Sequence, residues 1–278
     1  MTTTLYLSDL DGTLLASDGT LSAVTRTTIN RLVADEGLLF SYATARSYES
    51  ARVVLAGLDV RIPVAVYGGA LIVDGRNGEV LARHGLDGSV VALVLAECRA
   101  RQLPPLVYEF RDGRDWVRWN RAEESAGTRN YTVSRAGDPR MRPVDSWAEL
   151  PETDVFYLTI IGGREAIEQA AEALVAPLAG RAHIVVQRDN YFPDEYWLEI
   201  SAVEANKAVA AAELQRHAGA ARLVCFGDNN NDLPMFAVAD ASFAMANANA
   251  MVRGAASAVV AANDDDAVVH QIALLHST

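Results

Sequence analysis

The sequence predicts an α/β fold: a parallel sheet covered by helices on both faces and interrupted by an inserted α+β unit. Three observations predict it. Short apolar runs alternate with helix-period segments from Leu5 to Tyr67. From about Gly85 to Asn190 that order gives way to hairpins mixed with helices, and beyond it the strand-helix alternation resumes. The expected division is a core made of residues 1–84 and 191–278, with residues 85–190 as the insert.

The first strand, Leu5-Tyr6-Leu7, runs directly into Ser8-Asp9-Leu10-Asp11-Gly12-Thr13. Ser22 is placed to cap a helix whose apolar face is Ile29, Leu32 and Val33, and Gly37 ends it. A second strand follows at Leu38 to Thr44, a helix capped by Ser47 passes through Val53 and Val54, and a third strand covers Val64 to Tyr67. Ala70 to Val73 and Glu79 to Ala82 flank the turn-rich Asp74 to Gly78 and read as a hairpin.

The insert predicts a helix from Ser89 to Arg101, strands at Leu106 to Phe110 and Trp116 to Trp119, and a strand at Val155 to Ile161. A helix from Arg164 to Leu178 and a strand at His183 to Gln187 complete it. The core is expected to resume with a strand at Trp197-Leu198-Glu199-Ile200 and a helix after Asn206. Buried strand Leu223 to Phe226 then ends in Gly227-Asp228-Asn229-Asn230-Asn231-Asp232. A helix from Leu233, strands at Ala241 to Met245 and Ala258 to Ala261, and a helix from Asp265 to Leu275 close the chain.

Composition narrows the function. Half of the 278 residues are hydrophobic, enough for a sizeable core. The net charge of −12 argues against a broad nucleic-acid or anionic-membrane surface and favours a small-molecule partner. No apolar run approaches a membrane span and the start, Met1-Thr2-Thr3-Thr4, lacks the features of a signal peptide, so a cytoplasmic location is expected. Cys98 and Cys225 are expected to be reduced, and the five histidines lack ligand spacing. The oligomeric state is left open.

The chemistry centres on the ends of core strands, the edge where open α/β sheets bind ligands. Ionised carboxylates are seldom buried without partners, so Asp9 and Asp11 at a strand end need a cation, a hydrogen-bond network or a catalytic task. Strand alternation would turn both to one site. Mg²⁺ suits such a place, because it takes hard oxygen ligands and often only one or two carboxylates. Thr44, Lys207 and the group Asp228, Asn231 and Asp232 fall at or beside other strand ends. Taken singly, Thr44 reads equally as a hydroxyl approaching a helix, Lys207 as a solvated helix residue and the Asn/Asp run as a polar loop. Their order along one chain is what argues for a site.

That ordered set, Asp9-Leu10-Asp11-Gly12-Thr13, Thr44, Lys207 and Gly227 to Asp232, resembles the four motifs of the haloacid dehalogenase superfamily. The insert, together with Ala43-Thr44-Ala45-Arg46-Ser47 and Asp232-Leu233-Pro234-Met235-Phe236, is similar to the Cof-type subfamily with its α/β (type IIB) cap. Ala45 and Gly68 depart from that subfamily, where Gly and Asn are frequent. The resemblance implies a Rossmann-like core with the insert as a cap over the site, and a Mg²⁺-dependent phosphatase acting on a small phosphorylated metabolite, a sugar phosphate being expected. It implies Asp9 as nucleophile, Asp11 as acid/base, and Mg²⁺ held by Asp9, Asp228 and the backbone carbonyl of Asp11. Lys207 would offset negative charge and Thr44 would bind a phosphoryl oxygen. Asp232 would orient Lys207 or a metal-bound water, and Asn231 would touch phosphate or substrate. A phosphomutase of the same superfamily and a non-catalytic phosphometabolite sensor are the alternatives. In the insert, the eight arginines from Arg111 to Arg142 are interleaved with acids and read as a solvated surface, or as a site for a second anionic group. Trp116, Trp119 and Tyr131 read as insert core, or as a face on which a sugar could stack.

Overall fold

The computed structural model describes residues 3–189 and 192–276. The insert boundary expected at Asn190, together with Met1 and Thr2, therefore lies outside the described residues. The chain divides into two compact units, Met1–Arg83 with Glu204–Thr278, and His84–Val203. Its elements are β1 (Thr4–Ser8), α1 (Ala23–Asp35), β2 (Leu39–Tyr42), α2 (Tyr48–Val54), β3 (Val64–Val66), β4 (Leu71–Val73) and β5 (Val80–Arg83). The second unit contributes α3 (Gly88–Arg101), β6 (Pro105–Arg111), β7 (Arg114–Arg118), α4 (Ala126–Ser134), β8 (Val155–Gly163), α5 (Arg164–Leu178), β9 (Ala182–Arg188) and β10 (Glu195–Ala202). Back in the first unit are α6 (Lys207–Ala218), β11 (Arg222–Gly227), α7 (Leu233–Val238), β12 (Ala241–Ala244), α8 (Ala250–Ala255), β13 (Ala258–Val259) and α9 (Ala267–His276).

The first unit is built on a parallel sheet ordered β13-β12-β11-β1-β2. Leu5 and Leu7 of β1 face Leu223 and Cys225 of β11 across the register. On one face they pack with Ala210 and Leu214 of α6 and with Met235. On the other face Phe226 stacks on Phe243 at 5.3 Å and Tyr6 meets His276 of α9 edge-on. Burial on both faces explains why these strands are almost continuously apolar. From β1 the chain steps outward to β2 on one side, whereas β11 leads to β12 and β13 on the other. That reversal leaves a crevice at the carboxyl ends of β1 and β11, where α/β sheets bind ligands. The expected N-caps are in place: the Thr25 and Ser50 N–H groups donate to the Ser22 and Ser47 hydroxyls. The expected third strand differs in its partners. Among the described residues its parallel pairing on the β2 side is one bridge, Ala65 to Ala43 just after β2, and it otherwise heads the antiparallel sheet β3-β4-β5. No helix among the described residues is long and apolar enough to cross a membrane. Cys98 and Cys225 are free and buried, and burial pushes both thiols up, away from the reactive thiolate.

The second unit is an antiparallel sheet ordered β7-β6-β8-β10-β9. Leu158, Ile160, Leu198 and Ile200 are fully buried on it, and α5 packs against β8, β9 and β10. The strand expected to restart the parallel core, Trp197 to Ile200, belongs instead to this sheet: β10 lies between β8 and β9, antiparallel to both. The reason is visible in its burial. Leu198, Ile200 and Ala202 are buried while Trp197, Glu199 and Ser201, which alternate with them, are half-buried, the alternation of a strand with one apolar face. Helix α4 was not foreseen, since Ala126-Gly127-Thr128-Arg129-Asn130 offers little apolar periodicity; Ser125 caps it and Gly127 brings it onto β8.

A Cβ at Gly127 would stand 2.3 Å from Cγ2 of Ile161. Gly127→Ala should therefore overpack α4 against β8 and cost about 1–3 kcal/mol. The expected result is a lower urea midpoint with an unchanged slope, and an unaltered midpoint would show that α4 does not depend on this close approach.

Candidate active site

Asp9 is the residue at which β1 stops being a strand. Its N–H donates to the Phe226 carbonyl at 3.0 Å and Ser8 accepts from the Ala43 N–H on the other side, so both neighbouring strands fix the point where Asp9 emerges. The residue is buried, with 6% exposure. The chain then enters a turn over Leu10–Leu14, in which Asp11 is extended, with φ −72° and ψ 123°, and Gly12 reverses the chain at φ +74°. Gly12 is required twice over, because a Cβ there would lie 2.4 Å from Oδ2 of Asp228. Thr13 donates its hydroxyl to Asp228 Oδ1 at 2.9 Å, and Asn247, just beyond β12, donates its amide to the Gly12 carbonyl at 2.8 Å.

Lys207 is the first residue of α6, placed by Asn206, whose side chain accepts the Ala208 and Val209 N–H groups. It is 2% exposed, and its ammonium donates to Asp9 Oδ1 and Asp232 Oδ1, both at 2.6 Å. Asp232 is fully buried, and its other oxygen accepts the N–H groups of Asp228 and Asn229 at 2.9 and 3.0 Å. Asp232 thus uses both oxygens to fold the loop after β11 around the ammonium. The sequence carried a sign of this. Of 24 basic residues, Lys207 is the single lysine and the other 23 are arginines. At this one position a compact point charge fits where a planar guanidinium fork does not.

One oxygen from each of Asp9, Asp228 and Asp232 lies within 4.8 Å of the other two. Three carboxylates around one ammonium leave the site short of positive charge. Burial pushes the Asp9 carboxyl up to about 7 against the pull of Lys207, with Asp232 adding to the rise. Burial likewise pushes Asp228 up to about 6, opposed by the Thr13 hydroxyl. Burial works against the charge of Lys207, but Asp9 and Asp232 overcome it and hold the amine above its ordinary value. A divalent cation fits this donor set: hard oxygens, closely spaced, with negative charge in excess.

Asp11 departs from the expectation that strand alternation turns it to the same side as Asp9. The strand ends at Ser8 and the chain is already in a turn from Leu10, so alternation does not extend to Asp11, and the Asp11 carboxylate stands outside the buried cluster. It is 54% exposed and accepts from Arg46 Nη2 and Nε at 2.6 and 2.7 Å. Thr44 is buried directly after β2, its hydroxyl accepting the Arg46 N–H at 3.1 Å and keeping its own proton to donate. Asn231 is exposed in the loop after β11. In the second unit, Glu109, Asp145, Glu124 and Asp115 with Asp138 pair with Arg118, Arg121, Arg129 and Arg140. Arg114 and Arg142 lie over Trp116. Trp119 is buried and Tyr131 meets Trp197 edge-on, so both serve the packing of that unit. Sequence reasoning assigned no role to Thr13, Arg46 or Asn247. All three sit within or just after strand-end segments, and that position was the available signal.

Comparison with known proteins agrees with this geometry. A family profile described as haloacid dehalogenase-like hydrolase matches residues 6–272. The chain is 27% identical over 267 residues to the 5-amino-6-(5-phospho-D-ribitylamino)uracil phosphatase YitU of Bacillus subtilis, covering 95% of this chain and 94% of that protein. It is 28% identical over 242 residues to an HMP-PP phosphatase of Enterobacter sp. (strain 638), covering 86% and 83%. In fold it is similar to the HAD subclass IIB sugar phosphatase BT4131, with a TM-score of 0.70, 20% identity and coverage of 98% and 99%. With a profile that spans nearly the whole chain and a parallel core to match, the chain belongs to the haloacid dehalogenase-like hydrolase family.

Proposed function

We propose that the protein is a Mg²⁺-dependent phosphatase that hydrolyses a small phosphorylated metabolite, a sugar phosphate in the first instance, through a phosphorylated Asp9. The observation that carries this reading is the buried Asp9 carboxylate at the end of β1, held at 2.6 Å by Lys207 and within a carboxylate cluster fit for a divalent cation. Relatives named as phosphatases of phosphorylated small molecules support the substrate class. Substrate selection is assigned to the His84–Val203 unit.

An oxygen of Asp9 attacks phosphorus, the bond to the leaving oxygen breaks, and Asp11 as the acid gives that oxygen its proton. Asp11, now a carboxylate, takes a proton from water as the water oxygen attacks phosphorus. The bond to Asp9 breaks, which releases phosphate and restores both acids. Lys207 offsets the charge of Asp9 and of the incoming phosphoryl group, with Asp232 fixing its ammonium. The Thr44 hydroxyl donates to a phosphoryl oxygen, and Asn231 touches phosphate or substrate. Asp9, Asp228 and the Asp11 carbonyl would hold Mg²⁺, which when bound supplies the charge neutralisation that lets a carboxylate approach a phosphate.

The defining experiment is phosphate release across a panel of sugar phosphates, nucleotides and other phosphoesters, with and without EDTA. Activity on at least one class that disappears in EDTA and returns with Mg²⁺ is expected. Turnover that persists in excess EDTA would rule the reading out, and return of the phosphoryl group to product would mark a phosphomutase.

Asp9→Asn keeps the shape of the side chain and its contact with Lys207 but removes the nucleophile, so phosphate release should vanish. Mass spectrometry must exclude reversion to Asp, and an Asn variant that still turns over at an appreciable rate defeats the mechanism. Asp228→Ala should retain the fold while raising the Mg²⁺ needed for half-maximal activity at least about tenfold.

Metal binding should also depend on pH with a definite sign. With Asp9 pushed up to about 7 and Asp228 to about 6, protons occupy these carboxyls increasingly as pH falls through that range. Mg²⁺ needs the ionised forms, so its affinity should fall from pH 8 to pH 6 and its binding should release more protons at the lower pH. Calorimetry in buffers of different ionisation enthalpy measures that release; equal proton release at both pH values would contradict the assignment.

A further inference from the structure

We propose that Arg46 is a positioning residue for the acid/base, fixing where the Asp11 carboxylate stands; the inference rests on the phosphatase reading above. Asp11 lies on the turn after β1, outside the strand ladder that anchors Asp9, so nothing in the backbone pairing of the sheet orients its side chain. Among the described residues Arg46 is the hydrogen-bond partner of that carboxylate. It takes both oxygens, Oδ1 through Nη2 at 2.6 Å and Oδ2 through Nε at 2.7 Å. Two parallel bonds between planar groups fix orientation as well as distance.

Arg46 is itself held from two sides. Its N–H donates to the Thr44 hydroxyl, and its Nη1 donates to Ser50 Oγ at 3.3 Å, in a helix capped by Ser47. One residue therefore ties the proton-transfer group on the turn after β1 to the phosphoryl-binding hydroxyl after β2. A purely stabilising role accounts poorly for this arrangement. The pair is 25% and 54% exposed, and ion pairs so open to water contribute little to stability. The fork constrains the one acid that must give a proton to the leaving oxygen and later take one from water. Misplacing such a group by about 1 Å can cost about 10²-fold in rate.

The experiment is a double-mutant cycle of Arg46→Ala and Asp11→Asn, with Arg46→Lys alongside, read by single-turnover and steady-state kinetics on an alkyl and an aryl phosphate. Urea midpoints and Mg²⁺ affinity, expected to match the wild type, show that each variant is folded. Arg46→Ala should lower kcat on the alkyl phosphate about 10²-fold with KM little changed. Phosphorylation of Asp9 by the aryl phosphate, whose leaving group needs less protonation, should slow far less. Arg46→Lys restores charge without the fork and should recover less than about tenfold. In the Asp11→Asn background Arg46→Ala should cost nothing further. Multiplying effects in the double variant, or a raised KM with kcat unchanged, would overturn the inference while leaving the phosphatase reading intact. A wild-type chain that releases no phosphate from either substrate overturns the reading and the inference together.

Discussion

The first unit depends on one ammonium placed between two carboxylates. Lys207 reaches Asp9 and Asp232 at equal distances and joins three separate pieces of chain, the end of β1, the start of α6 and the loop after β11. Taking such ions out of water costs several kcal/mol each, and only close geometry with every remaining lone pair satisfied offsets it. Asp232 meets that condition through two backbone N–H groups. Removing Lys207 would strand two buried acids, so this contact is a condition of the folded site rather than an addition to it.

The same arrangement explains why the proposed anionic substrate could enter this site only with help. Asp9, Asp228 and Asp232 outnumber their one buried cation, and burial, with Asp232 adding to it, raises both Asp9 and Asp228. A hydrophobic pocket would relieve that imbalance by keeping the acids protonated, which would take from Asp9 the charge that its proposed role requires. A divalent cation relieves it while keeping them ionised. Gly12 and Thr13 belong to this logic too, one by making room for Asp228 and the other by donating to it.

Two ion pairs of similar length play different parts in this unit. Lys207 with Asp9 is almost wholly buried, whereas Arg46 with Asp11 stands in partial contact with water. At comparable separation the lower local dielectric makes the first far stronger and far more costly to break. The second contributes geometry more than stability. Lysine as a point charge suits the first and the arginine fork suits the second, in a chain that otherwise uses arginine throughout.

Elements whose signals are local could be read from the amino-acid order. The runs of β1 and β11 showed strands buried on both faces, and Ser22, Ser47 and Asn206 marked helix starts. The hairpin β4-β5 announced itself in Asp74 to Gly78. The strand-end acids and their order along the chain pointed to the family, because they sit where neighbouring residues alone set them. Whatever depended on distant partners was settled by folding. The alternation in β10 specifies a half-buried strand but not which sheet receives it, and the antiparallel neighbours β8 and β9 settled that. The direction of Asp11 turned on Arg46, 35 positions away, and the task of Asp232 turned on Lys207, 25 positions away. Periodicity and capping act over a few residues and can be read in one dimension. Sheet partnership and charge pairing are set by what the folded chain brings within reach, and only the fold states that.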